Sequence, residues 1–196
     1  MISIDVTIKT KSNLYIGGMP QGFEIGGIDM VTVNRDGKPY IPASSFKGAL
    51  REICKDNSDD KIAGIFKDYQ PARSPELGGK HLYIFGIEGY NRSPKLIFTD
   101  FEMEKNANGP YFSIDIKNSI EETNNGTKLL SNPRTYKAAC AGLSFKGTIY
   151  FNFKDKKTQV LVREYIVKMT KEFSEGIYRI GNSKSRGYGW ISVEIK

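Results

Sequence analysis

Ile2, Ile4, Val6 and Ile8 alternate with Ser3, Asp5, Thr7 and Lys9, a period of two that predicts a half-buried strand. Residues 17–40 then carry Gly17-Gly18, Gly22, Gly26-Gly27 and Asp36-Gly37, too many breakers for a helix, with room for a short strand over 30–33. Pro39 to Ser45 leads into a helix on which Phe46, Leu50 and Ile53 share a face, with Ser44 or Ser45 as the expected N-cap. Gly48 inside that helix costs roughly 1 kcal/mol relative to Ala, so something is expected to approach the backbone closely there, the sheet or a ligand. Residues 55–80, broken by Pro71, Pro75 and Gly78-Gly79, read as a long loop with a helical turn near 62–66.

Strands are expected over 95–103 and 111–116. Residues 118–134 contain Asn125-Gly126, a hairpin turn signal, and are expected to project as an arm. Phe145, Ile149, Phe151 and Phe153 mark another strand. Residues 155–175 form the strongest helical pattern, with Leu161, Val162, Tyr165, Ile166, Met169 and Phe173 in an apolar stripe and Gly176 as the stop. Ile191, Val193 and Ile195 close the chain as a strand. The order β-α-β-β-α-β predicts an α+β, ferredoxin-like fold, shared by many RNA-binding domains and by many proteins that bind no RNA.

The 196 residues, 39% hydrophobic and 12% aromatic, suit a single domain over 1–196. Cys54, Cys140 and the single His81 are too few for a disulfide framework, a cysteine-built zinc site or a His-pair metal motif. The chain shows no secretory pattern and no run of eighteen apolar residues, so a soluble cytoplasmic protein without a membrane partner is expected. Lys and Arg number 29 against 22 Asp and Glu, a net charge of +7. That surplus favours a polyanionic partner, although it also occurs in proteins that merely stay soluble.

Two elements could hold phosphate. Residues 181–189, Gly-Asn-Ser-Lys-Ser-Arg-Gly-Tyr-Gly, lie between a helix and a strand, the wrong context for a dinucleotide loop. Glycines there allow backbone N–H groups to approach a phosphate, Lys184 and Arg186 neutralise it, and Tyr188 can stack on a base; a tight connection with two solvated bases fits equally. The first helix offers its N-terminus, the Ser44 and Ser45 hydroxyls, Lys47 and Arg51. Tyr136 is a second stacking candidate. His81, before the apolar run Leu82-Tyr83-Ile84-Phe85, is a general base or, more simply, a structural residue.

The run Ile25-Gly26-Gly27-Ile28-Asp29, followed by Asp36-Gly37-Lys38-Pro39-Tyr40-Ile41-Pro42-Ala43-Ser44-Ser45-Phe46-Lys47-Gly48-Ala49-Leu50-Arg51, resembles the signature of the RAMP (repeat-associated mysterious protein) superfamily. More narrowly it is similar to the backbone subunit of type III CRISPR effector complexes, the Csm and Cmr assemblies. Leu96 to Asp100, Asn132-Pro133-Arg134, Gly142 with Phe145, and Ser185-Arg186-Gly187-Tyr188-Gly189 match in the expected order. The resemblance implies a modified RNA-recognition fold with an inserted β-hairpin thumb at 119–134. It implies binding along a CRISPR guide RNA beside further copies of itself and other complex subunits, with complementary target RNA as substrate. Carried over residue by residue, the guide contacts are Ser44, Ser45, Lys47, Arg51, Lys184, Ser185 and Arg186; Arg134 and Tyr188 are further RNA-binding candidates. The catalytic aspartate matches Asp29.

A carboxylate beside a kinked phosphodiester helps hold Mg²⁺ or another divalent cation, which stabilises charge while a 2′-hydroxyl attacks in line. One carboxylate is no cage, so RNA phosphates and water must complete the shell and the bare chain should hold metal weakly. Asp29 could instead simply turn a glycine-rich loop. The functional expectation is therefore a guide-binding subunit that cleaves target RNA through Asp29. Its alternatives are a non-catalytic subunit of the same complex, a CRISPR-repeat processing endoribonuclease, and a protein-interaction module without an RNA role.

Overall fold

The computed structural model describes residues 2–18, 28–70, 79–104, 109–122 and 129–196. In chain order the elements are β1 (Ile2–Thr10), β2 (Gly17–Gly18), β3 (Met30–Thr32), β4 (Asn34–Arg35), β5 (Lys38–Ile41), α1 (Ala43–Asp56) and α2 (Asp60–Ile65). After them come β6 (Lys95–Phe98), β7 (Phe101–Met103), β8 (Phe112–Glu122), β9 (Leu129–Ala139), β10 (Ser144–Asn152), α3 (Lys156–Lys171) and β11 (Ile191–Ile195). The expected turn at Asn125-Gly126, the glycines at 22, 26 and 27, and the breakers at 71, 75 and 78 lie outside the described residues.

The main sheet runs β11-β1-β10-β7-β5-β4, with β6 also on β10. Its four principal strands thus stand in the order fourth, first, third, second, each antiparallel to its neighbour, which is the ferredoxin-like arrangement. Ile4 faces Ile149 and Ile8 faces Phe145 across the β1–β10 ladder, so the period-two apolar sets meet on one face. Phe46, Leu50 and Ile53 of α1 and Val162, Ile166 and Met169 of α3 are buried in the core over that face. Phe46 is its aromatic hub, with ring centroids 4.8 Å from Phe101 and 5.5 Å from Phe173.

The strand expected over 95–103 is interrupted. Phe98 pairs with Ile149, yet Met103 pairs with Phe145, so one extra residue is inserted opposite β10. This is a β-bulge, which re-aims a side chain, here Asp100. The helical turn expected near 62–66 forms as α2, because Asp59 caps it by accepting from the Lys61 and Ile62 amides. The apolar run after His81 coils as a buried 3-10 helix, Lys80–Phe85.

A second sheet runs β2-β3-β9-β8. The segments read separately as a strand over 111–116 and an arm over 118–134 form one ladder, in unbroken register from Phe112 opposite Ala139 to Glu122 opposite Leu129. β3 lies parallel to β9, Met30 beside Tyr136. Tyr15, Tyr136, Ala138 and Tyr188 form a small buried cluster between the hairpin base and the main body.

Candidate functional site

The start of α1 differs from expectation. Ser44 and Ser45 lie inside the first turn and cap nothing; the N-cap is Pro42, whose side chain makes no capping bond. Asp100, turned out by the bulge, accepts a 2.9 Å hydrogen bond from the Ala43 amide and is held by Arg35 at 3.1 Å. Arg35 also pairs with Glu102 and lies over the Tyr40 ring. The Ala43 N–H bond, with Arg35 beside it, keeps the Asp100 carboxyl below the usual carboxylate range despite partial desolvation. The helix end therefore already carries a carboxylate, and attraction for an anion on α1 has to come from Lys47 and Arg51.

Gly48 faces outward, and a Cβ there would meet nothing within 4 Å. The sheet does not explain this glycine. It leaves α1 a low notch between Ser44 and Arg51, one turn to either side. Lys184 of loop 181–189 reaches α1 at Glu52, in the second half of the helix, Nζ to Oε2 3.0 Å. The loop is fixed from below: the Asn182 amide donates to Tyr15 O (2.8 Å) and the Gly189 amide to Asn13 O (2.9 Å). Gly189 has φ +80, and a Cβ on it would fall 2.0 Å from Ile180 O, so only glycine fits.

Tyr188 and Tyr136, expected as stacking residues, are buried; Tyr188 is 2% exposed. The Tyr188 hydroxyl donates to Asp115 Oδ2 at 2.7 Å, and Lys117 Nζ lies 4.1 Å from its ring centroid. Burial, then the bond to Asp115, pushes the Tyr188 phenol well above its ordinary value. Its ring is a structural pillar beneath the loop and presents no face to a base. Arg186 bridges the same region, donating to the Tyr136 hydroxyl (3.2 Å) while its carbonyl accepts from Lys117 Nζ (2.7 Å). Lys117 stands directly opposite Arg134 in the β8–β9 register, so Lys117, Arg134 and Arg186 form a basic group at the hairpin base. Ser185 is exposed at the loop's tip. Lys117 and Asp115 went unrecognised in the sequence because only the hairpin register shows them facing the loop.

Asp29 is exposed just before β3, and its Oδ2 accepts from the Thr135 amide at 2.8 Å, next to Arg134. The other carboxylate oxygen has no partner among the described residues. Hard carboxylate oxygen suits Mg²⁺ or a similar cation, but among the described residues no three His, Cys, Asp or Glu side chains gather to hold a metal. Asp29 thus fits as one ligand of a cation whose remaining ligands come from elsewhere. His81 is buried, with Nε2 2.8 Å from Cys54 O, and serves packing, with no route to act as a general base. Burial pushes the Cys54 thiol up to about 12, so it is inert at neutral pH.

The model of the RAMP superfamily matches residues 7–192. The chain belongs to the RAMP superfamily. Among curated proteins this RAMP chain is similar to the CRISPR system Cms endoribonuclease Csm3 of Streptococcus thermophilus, 24% identical over 202 residues that cover 98% of the chain and 87% of the relative. It superposes on a chain from the cryo-EM structure of the type III-B Cmr-beta complex bound to cognate target RNA, with TM-score 0.65 and 21% identity. That match covers 99% of this RAMP chain and 59% of the other, so this chain spans well under two thirds of its length. A chain of a type IV-B CRISPR complex also superposes, with TM-score 0.53, 13% identity and coverages of 100% and 90%. Among the described residues no helix is long and apolar enough to cross a membrane.

Proposed function

We propose that this chain is a guide-RNA-binding backbone subunit of a type III CRISPR ribonucleoprotein, working in the cytoplasm beside further copies of itself and other subunits, and that Asp29 serves in cleaving bound target RNA. The observation that carries the RNA reading is the contact of Lys184 with Glu52, one turn beyond Gly48, which ties loop 181–189 to the helix that carries the open notch at Gly48. A backbone can pass over Gly48 without meeting a side chain, with Lys47, Arg51 and Lys184 at hand to neutralise phosphates. Similarity to Csm3 along nearly the whole chain supports the type III assignment.

For cleavage, Asp29 would hold a divalent cation together with RNA phosphate oxygens. Such a cation supplies Lewis-acid stabilisation of charge on a scissile phosphate. The chain's own part is to hold the carboxylate against the Thr135 amide. A non-catalytic subunit is the second reading, favoured by the absence, among the described residues, of any group of three His, Cys, Asp or Glu side chains that could hold a metal.

The test is purification from the native host with sequencing of the co-purifying RNA, then target cleavage by the Asp29→Ala complex. Discrete CRISPR-derived guides, with cleavage lost and guide content kept, are expected. Random RNA or none overturns guide binding, and cleavage persisting at the original positions makes the subunit non-catalytic.

A further inference from the structure

On the α1 surface Lys47 and Glu52 lie on opposite flanks of the Ser44–Gly48 strip, by the 100° turn per residue of a helix. Glu52 meets loop 181–189; Lys47 faces a different feature. There a groove of about 520 Å³ opens between α1 and β6, lined among others by Ser44, Lys47, Tyr90, Asn91, Lys95 and Ile97. Among the described residues neither Lys47 nor Lys95 has a carboxylate partner; Lys95 Nζ donates to Asn91 O at 2.8 Å, a bond that leaves its charge in place. The Lys47 ammonium is disfavoured by partial burial first, then by the charges of Lys95 and Arg51, so positive charge is crowded here. A groove that gathers such cations attracts an anion.

Tyr90 forms the groove's far wall. Its hydroxyl donates to Gln70 O at 2.7 Å and its ring packs edge-on to Tyr69 with centroids 5.6 Å apart, yet it remains 38% exposed. A ring fixed in this way and still open to solvent is a ready stacking platform. Tyr90 and Asn91 also line an adjoining cleft of about 400 Å³ that includes Arg92 and Ser93. Ser93 is 3% exposed, and its hydroxyl is the one buried side-chain polar atom without a hydrogen-bond partner among the described residues. Buried hydroxyls are nearly always bonded, so this one, behind the cleft wall, lacks a partner that a polar ligand could supply.

We propose that the two clefts together take one nucleotide of a single-stranded RNA. Its phosphate sits between Lys47 and Lys95, and its base lies against Tyr90 with an edge toward the Ser93 hydroxyl. The site deepens the RNA-binding reading and rests on it. None of Tyr90, Ser93 and Lys95 belongs to the α1–loop surface described above, so their variants probe the new site alone.

The experiment is fluorescence anisotropy of the full chain with a labelled 20-nucleotide single-stranded RNA of mixed sequence, across a range of salt. Lys95→Gln should weaken binding at low salt and make the log–log salt slope shallower by about 0.7, the value of one single-strand phosphate contact. Tyr90→Leu should weaken binding about fivefold or more, the lower range for a lost stack. Ser93→Ala separates a ligand role from a structural one. Removing an unpartnered buried hydroxyl should leave thermal stability equal or higher, while RNA affinity falls. Photo-crosslinking with 4-thiouridine in the same RNA should place adducts at Tyr90. If the wild-type chain binds RNA and the Tyr90 and Ser93 variants bind it equally, the nucleotide site is wrong and the broader reading stands. A wild-type chain without RNA affinity removes both.

Discussion

The Asp100 carboxylate accepts a hydrogen bond from the Ala43 amide at 2.9 Å, so the first turn of α1 is capped by a residue 57 positions downstream. The bulge in the second principal strand and the start of α1 are thereby one structural unit. Side-chain caps are worth about 0.5–2 kcal/mol, whereas the exposed Arg35 pair on the other side of Asp100 adds little. Asp100→Ala should lower unfolding free energy by about 1 kcal/mol, measured by urea titration. Arg35→Ala should cost clearly less.

Loop 181–189 offers a paired test of glycine. Gly187 has φ +94 with open space around it, while Gly189 has φ +80 and would bring an added methyl to 2.0 Å from Ile180 O. Gly187→Ala bears only backbone strain, of the order of 1 kcal/mol. Gly189→Ala must push two backbone segments apart and should cost more, displacing the Gly189–Asn13 bond that anchors the loop. Thermal unfolding should rank Gly189→Ala below Gly187→Ala, and RNA affinity should follow the same order.

Much of the fold is legible in the order of residues alone. The β1 alternation and the Phe46, Leu50, Ile53 stripe are buried as the periods require, because both report one-sided contact with a single core. Strand β8 shows where this logic stops. Phe112, Ile114 and Ile116 form an apolar period-two set, yet Ile114 is 64% and Ile116 71% exposed. The polar set faces inward instead: Asp115 takes the Tyr188 hydroxyl and Lys117 takes the Arg186 carbonyl. A part-buried polar network outweighed hydrophobic patterning on this strand, and its partners lie 73 and 69 residues away. A separation of 57 residues likewise hid the Asp100 cap, and the 73 to Asp115 turned Tyr188 from an apparent stacking residue into a pillar.

That network carries a pH dependence. Burial works against the Asp115 carboxylate, but hydrogen bonds from Tyr188, Asn13 and Ser113, with Lys117 nearby, outweigh it and hold its pKa below the ordinary value. A folded pKa below the unfolded one, about 3.9, means that the stability contribution is present above that pH and is lost as pH falls through the folded value. Asp115→Asn keeps an acceptor for Tyr188 but loses the charge, and should cost about 1 kcal/mol at neutral pH, the difference between a bond to a charged and to a neutral group. In urea titrations the gap between variant and wild type should narrow as the pH drops below about 4. A constant gap would show that the charge on Asp115 contributes nothing.

Asp29 has two separable roles, because one oxygen holds the Thr135 amide while the charge is what a cation would need. Asn at this position can still accept from that amide but carries no charge; Ala can do neither. Asp29→Ala should therefore lose about 1 kcal/mol of stability through the missing bond, and Asp29→Asn should lose little. If Asp29 only pins β9 beside β3, cleavage by the assembled complex should follow that stability order and return in Asp29→Asn. If the carboxylate is a cation ligand, both variants should lose more than the roughly 10- to 100-fold seen when an outer-shell partner of a metal is removed. Co-purifying guide RNA should be unchanged in each. Thermal unfolding and cleavage measured on the two variants side by side thus decide whether the charge or the hydrogen bond is what the reaction uses, and the charge is the outcome expected here.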